Sequence, residues 1–336
     1  MKTPASVILL YKSKTVLTLG RIFGLTSYII IELKKIQGLL GVINLKKIAV
    51  IQDLSGLGKC SLTAAIPVIS AMGVQAVPLP TAILSNQTGY SSYFFDDYTC
   101  QMPKIMEEWE KQGFCPDGIY TGFLGSEKQA EYILDFMQRF KKKDTIVLVD
   151  PVLGDNGSAY GIYTEGLRQK MLQLVRMAQV ITPNLTEALL LLYGAEEGER
   201  HYNCLMEKEG GDRLAAIKRI GEKLTEEFSL TGAVLTGIEY EKRSEDGKKP
   251  VLNMGNLVLE NGKDSWYFSR KTGGSYSGTG DLFASVLSAG LVKGMSMKDG
   301  TRKAVDFLSA AISEAVKEGT DRNEGVCFEK YLFKLM

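Results

Sequence analysis

Gly278-Thr279-Gly280-Asp281 runs directly into the apolar stretch Leu282-Phe283-Ala284-Ser285-Val286-Leu287. A glycine-rich turn that opens a helix aims several free backbone N–H groups at one spot, at the positive end of the helix dipole, and that spot suits a phosphate. Asp281 falls in the first turn beside it. A carboxylate there repels a phosphate, so its presence needs a reason. Accepting a proton from a hydroxyl while a phosphoryl group arrives from the other side is such a reason. Taken alone, the four residues are an ordinary turn with an acid at a helix start. Their weight comes from what converges on them.

Asp150 and Glu187 suggest hard-cation chemistry, because magnesium takes few carboxylates and completes its shell with waters and substrate phosphates. Within Thr182-Pro183-Asn184-Leu185-Thr186-Glu187, Pro183 ends a strand, and the helix that follows brings Glu187 one turn beyond Asn184, so both face one point. Ser55-Gly56-Leu57-Gly58-Lys59 resembles a Walker loop only superficially. Asp53 stands where the first glycine belongs, and Cys60 where Ser or Thr should bind magnesium. As a dinucleotide fingerprint it also fails, since Ser61 replaces the third glycine. It reads as a glycine-rich turn into a helix, or as a loop whose amides approach a small ligand.

The elements that must position these residues follow a strand–helix alternation. Strands are expected at 48–51, 74–79, 119–120, 145–149, 180–181 and 233–235. Helices are expected at 59–72, 127–140, 167–177, 214–228, 282–292 and 298–318. Short apolar strands between amphipathic helices imply a mostly parallel sheet covered on both faces. Ligands collect at the carboxyl ends of such strands, where Asp53, Thr121-Gly122, Asp150, Asn184 and Thr236-Gly237 fall. Two segments break the rhythm. Residues 81–98 have no clear period and read as a flap near the sheet. Residues 251–269 alternate around Glu260-Asn261-Gly262-Lys263, a hairpin turn. The charged stretch 196–211 reads as a surface loop.

Composition narrows the chemistry. The chain has 336 residues, 45% hydrophobic and 24% charged, with a net charge of +1. These values suit a soluble globular protein and give no sign of a nucleic-acid partner. Five scattered cysteines without a CxxC pair point to a reducing, cytoplasmic compartment. A single histidine, His201, in a polar stretch argues against Ser-His-Asp hydrolysis or a multi-histidine zinc site.

The first 45 residues differ from the rest. Their apolar runs at 7–11 and 23–33 are too short to span a membrane, and they lack the order of a signal peptide. The expectation is an atypical extension that need not be translated, with synthesis starting from a UUG codon at Leu45. A flexible or membrane-surface extension is the alternative. Residues 46–336 form the expected functional domain.

Asn184-Leu185-Thr186-Glu187 together with Gly278-Thr279-Gly280-Asp281 resembles the ribokinase-like superfamily. Asp150-Pro151-Val152-Leu153-Gly154-Asp155, Ser85-Asn86-Gln87-Thr88-Gly89-Tyr90 and Thr121-Gly122-Phe123-Leu124-Gly125 resemble pyridoxal kinases within it. The resemblance runs in order from about Lys46 to about Lys317. It implies a three-layer α/β/α fold with a short flap. It also implies an ATP- and Mg2+-dependent kinase, with an optional monovalent cation, that phosphorylates the 5′-hydroxymethyl group of a vitamin B6 compound. Carried over, Asp281 is the base, and Gly278, Thr279 and Gly280 form the anion hole. Asp150 and Glu187 lie near metal and phosphates. Asn184, Thr236 and Gly237 lie along the nucleotide, and Asp155 and Tyr163 cover the phosphates. Ala82, Leu84, Thr88 and Phe123 line the pyridine pocket. Related kinases imply a homodimer with no membrane partner.

One departure stands out. Pyridoxal kinases usually place a Ser-His pair after the first strand, where this chain has Asp53-Leu54. A carboxylate at the ring favours a protonated pyridine nitrogen or an amino group. Hydroxymethylpyrimidine kinases are the nearest alternative. They usually carry a Cys in the anion-hole motif, which Ser277-Gly278-Thr279-Gly280-Asp281 lacks.

Overall fold

Successive strand residues point to opposite faces of a sheet, and in this chain both faces are apolar. The computed structural model describes residues 45–242 and 251–336, so the expectations for the leader fall, apart from Leu45, outside the described residues. β1 (Lys47–Leu57) buries Ile48 and Val50 in one core and Ala49 and Ile51 in the other. There follow α1 (Ser61–Ala71), β2 (Gln75–Asn86), β3 (Phe95–Asp97), α2 (Met102–Lys111), β4 (Gly118–Thr121), α3 (Glu127–Phe140) and β5 (Ile146–Val149). A small hairpin, β6 (Gly154–Asp155) and β7 (Ser158–Ala159), precedes α4 (Glu165–Met177), β8 (Val180–Ile181), α5 (Leu185–Tyr193), α6 (Ala195–Met206) and α7 (Gly210–Glu227). The chain closes with β9 (Gly232–Lys242), β10 (Val251–Glu260), β11 (Lys263–Arg270), α8 (Thr279–Val292) and α9 (Met297–Glu318).

The main sheet has the order β11-β10-β9-β8-β5-β4-β1-β2-β3. From β9 to β2 every neighbouring pair is parallel. β10 and β11 at one end, and β3 at the other, run antiparallel. One face packs against residues of α2 to α7, among them Phe136, Leu174, Leu189 and Leu224. The other packs against α1, α8 and α9, with Leu62, Leu287 and Phe307 buried. The result is the expected three-layer α/β/α arrangement. α8 is buried along Leu282–Gly290, as a helix apolar on all sides must be. Among the described residues no helix is long and apolar enough to cross a membrane.

Four expectations change. β1 runs on to Leu57 and β2 to Asn86, beyond the ends set by their apolar runs, because the two strands keep pairing past the edge of the sheet. Asp53 therefore lies inside β1 rather than after it. β3 folds back on β2, pairing Ala82 with Asp97 and Leu84 with Phe95, and this makes the flap. α1 starts at Ser61 rather than at residue 59. The charged stretch after Gly194 is α6, not a loop. Its Arg200 pairs with Glu196 and Glu197 along the exposed side, while Leu205 supplies the buried side. The 260–263 hairpin is as expected, with Asn261 at φ 52° and Gly262 at φ 73°.

Candidate active site

α8 begins where the glycine-rich turn meets the β1–α1 connection. Gly278 is its N-cap, at φ 77°, and no side chain caps the helix. A Cβ at Gly278 would stand 2.2 Å from the Lys59 carbonyl oxygen and 3.0 Å from Cys60 Cα. Only glycine permits this approach. A Cβ at Gly280, by contrast, would meet nothing within 4 Å. The opening turn of α8 thus has uncapped N–H groups beside open space, which is the geometry an anion needs.

Asp281 is half-buried next to that turn. Its Oδ2 accepts a hydrogen bond from the Ser61 N–H at 2.8 Å, and among the described residues Oδ1 has no partner. Loss of water pushes its carboxyl up to about 7. The nearby carboxylates of Asp150 and Asp53 add to the rise and the Ser61 N–H opposes it. The stability that protonated Asp281 contributes is therefore full below the ordinary 3.8 and is lost as pH rises through about 7. The acid is poised near neutrality, as a general base should be.

The backbone that delivers the Ser61 N–H is unusual. Lys59 and Ser61 adopt φ of 48° and 50°, left-handed values for residues with side chains. Such conformations cost on the order of 1–3 kcal/mol each and persist where surrounding structure enforces them. Here Lys59 is tied to Val326 O and Glu329. Asp53 beside it is buried and accepts the Ser55 hydroxyl at 2.7 Å. Burial raises the Asp53 carboxyl above its ordinary value, and the nearby Ser61 and Ser55 side chains oppose the rise. Ser61 thus bears on two acids, and sequence reasoning saw it only as a missing glycine.

The second group of acids stands at the tips of β5 and β8. Asp150 is buried, and its Oδ1 accepts from Thr182 Oγ1 at 2.8 Å. Burial raises its carboxyl to about 6. Asn184 and Glu187 form a capping box on α5. Asn184 Oδ1 accepts from the Glu187 N–H at 2.9 Å, and Glu187 Oε2 accepts from the Asn184 N–H at 2.8 Å. Glu187 Oε1 accepts from the Leu153 N–H at 3.4 Å. Burial first, and Asp150 next, push the Glu187 carboxyl well above its ordinary value. Asn184 also donates to Gly154 O at 2.8 Å and bridges to Thr236, bringing Thr236 and the exposed Gly237 to the same edge. Asp155 caps the Asn156-Gly157 turn of the β6–β7 hairpin, whose Gly157 N–H is held by Thr186 Oγ1 at 2.8 Å. That Asn-Gly pair was the available signal for the hairpin.

Tyr160 is exposed, and Glu187, Asp155, Asp150 and Asp281 lie near enough to bear on its phenol. Tyr163 donates to Glu165 at 3.2 Å, and Glu165 is the carboxylate that bears on it. Ala82 and Leu84 are buried in β2, and the Phe123 carbonyl accepts from Thr81 Oγ1 at 3.2 Å. Thr88 is exposed on the flap and has no hydrogen bond among the described residues. Every donor to Asp53, Asp150, Glu187 and Asp281 is a hydroxyl or a main-chain amide. Among the described residues no lysine or arginine pairs with them. Among the described residues no three His, Cys, Asp or Glu side chains gather as a ready metal cage. Asp150, with Oδ2 unpartnered, fits a magnesium ion that takes its other ligands from water and phosphate.

Known proteins share this architecture. A Bacteroides thetaiotaomicron protein provisionally named a phosphomethylpyrimidine kinase, whose crystal form contains pyridoxal, superposes with a TM-score of 0.75 at 34% identity, over 87% of this chain and 96% of its own. Pyridoxal kinase from Lactobacillus plantarum superposes with a TM-score of 0.72 at 27% identity, over 87% and 97%. In sequence, the hydroxymethylpyrimidine/phosphomethylpyrimidine kinase of Rhizobium meliloti is 25% identical over 77% of this chain and 87% of its own. The fold is ribokinase-like, and relatives carry both substrate names. The phosphomethylpyrimidine kinase family model matches residues 58–325, from the turn before α1 to the glycine after Glu324, and so takes in Asp150, Glu187 and Asp281 while Asp53 precedes it. The chain belongs to the phosphomethylpyrimidine kinase family and is a kinase of that pyridoxal and hydroxymethylpyrimidine group.

Proposed function

We propose that this kinase uses ATP to phosphorylate the 5′-hydroxymethyl group of pyridoxal, pyridoxamine or pyridoxine in vitamin B6 salvage. The observation that carries the reading is Asp281. One of its oxygens is fixed by the Ser61 N–H and the other is unpartnered, beside the uncapped first turn of α8. In this reading Asp281 accepts the hydroxymethyl proton, and the N–H groups opening at Gly278, Thr279 and Gly280 hold the migrating phosphoryl group. Asn184, Thr236 and Gly237 lie along the nucleotide, with Asp155 and Tyr160 on its phosphate side. Asp150 would hold Mg2+, with Glu187 orienting the adjoining strand tip. When bound, the ion would neutralise phosphate charge. Asp53, Ala82, Leu84 and Phe123 face the vitamin, with Thr88 on the flap above. A homodimer completes the reading, because Leu57 at the end of β1 and Tyr93, Phe94 and Phe95 on the flap leave apolar surface exposed, and the free cysteines suit the cytoplasm. The absence of Cys from the anion-hole motif supports the B6 branch over hydroxymethylpyrimidine.

The test is ADP formation with each vitamer and with hydroxymethylpyrimidine. The expected result is a kcat/KM for the best vitamer at least about tenfold above that for the pyrimidine. The reverse order would move the enzyme to thiamine synthesis.

A further inference from the structure

Gln52 and Asp53 come directly after the part of β1 that pairs with β4, beside the proposed base, and phosphoryl transfer itself requires neither. Gln52 is fully buried, and both its Oε1 and Nε2 lack a hydrogen-bond partner. Its carboxamide lies across Gly122 at the tip of β4, where a Cβ would stand 2.2 Å from Oε1. Buried amides are almost always paired, so an unpaired one at a strand tip marks a place where a ligand group belongs. The β1–β2 register breaks here. Gln52 pairs with Pro80 and Leu54 with Ile83, so Asp53 faces both Thr81 and Ala82. Such irregularities re-aim side chains and occur beside active sites.

We propose that Asp53, with Gln52 beside it, is a cation-selecting subsite that makes this kinase favour a hydroxymethylpyridine bearing a protonated amine, as in pyridoxamine, over its neutral counterpart pyridoxine. The proposal rests on the kinase reading above. Asp53 is buried, accepts the Ser55 hydroxyl at 2.7 Å and, among the described residues, has no lysine or arginine paired with it. It stands close enough to Asp281 to disfavour ionisation of the base. A ligand ammonium at Asp53 supplies the missing positive charge. Gln52 Oε1 accepts a further N–H from it, and Nε2 donates to a ring oxygen. Ser61 lies between the two acids, with its side chain near Asp53 and its N–H on Asp281. The cationic substrate therefore also favours the ionised base.

The experiment compares kcat/KM for pyridoxamine and pyridoxine in the full-length enzyme and in Asp53→Asn, with saturating ATP and Mg2+. The wild type should prefer pyridoxamine, and the ratio should fall about tenfold or more in Asp53→Asn, the scale of one charge-assisted hydrogen bond. An equal fall for both vitamers, or an unchanged ratio, overturns the subsite and leaves the kinase reading intact. A wild type that turns over neither vitamer strikes the kinase reading itself. Should Asp53→Asn fail to fold, calorimetry on the wild type decides: tighter binding of pyridoxamine than of pyridoxine supports the subsite, and equal affinity overturns it.

Discussion

The two acidic ends of the strand-tip row are built differently. At β5 and β8, Asn184 and Glu187 satisfy each other in a relaxed capping box, and both Glu187 oxygens already hold main-chain N–H groups. At β1 and α8, Asp281 keeps one oxygen free, and its single donor comes from a backbone held at φ 50°. Both groups are short of water and of cations. What separates Glu187 from Asp281 is spare hydrogen-bonding capacity. Glu187 is committed to holding a helix in place, whereas Asp281 is left able to take a proton.

Substitutions can break this contrast. Apart from Asp281 itself, the largest effect is expected from the two glycines. Gly278→Ala meets the Lys59 carbonyl and a left-handed φ, so it should lower both Tm and turnover, the latter by about a hundredfold or more. Gly280→Ala has free space. It should leave Tm nearly unchanged and still slow turnover, by about tenfold, if that space holds phosphate. Thermal melts read beside ADP assays separate the two, and equal Tm losses would remove the argument that the space is functional. A smaller effect is expected at the other end. Glu187→Gln keeps the cap and should raise the magnesium concentration for half-maximal activity about threefold. Glu187→Ala should in addition lose about 1 kcal/mol of stability with the cap. A magnesium titration unchanged in Glu187→Gln would remove that residue from the metal's surroundings.

The same contrast explains what the sequence made legible. The capping box could be read directly, since Asn184 and Glu187 lie three apart after Pro183 and their geometry is local. So could the glycine turn opening a helix at Gly278 and the parallel sheet, which follow from short-range pattern. Ser61 could not. Its role depends on a positive φ and on contact with a residue 220 positions away, and no periodicity encodes either. The nearness of Tyr160 to the acids could not be read either, because Tyr160 and Tyr163 lie in one loop and only the fold distinguishes their surroundings. The length of β1 and β2 escaped because their outer halves pair with each other beyond the apolar core that marks a strand. α6 was hidden by its dense exposed charge.

The central claim is that Asp281 removes the hydroxyl proton while the α8 turn holds the phosphoryl group. Turnover of the wild type and of Asp281→Asn, followed from about pH 5.5 to about 9 with the best vitamer, tests it most directly. The account predicts a wild-type kcat/KM that rises with a limb near 7. It also predicts a variant with unchanged nucleotide affinity whose turnover is lower by about a hundred- to ten-thousandfold and has lost that limb. A variant that keeps near-normal turnover and the same limb would contradict it.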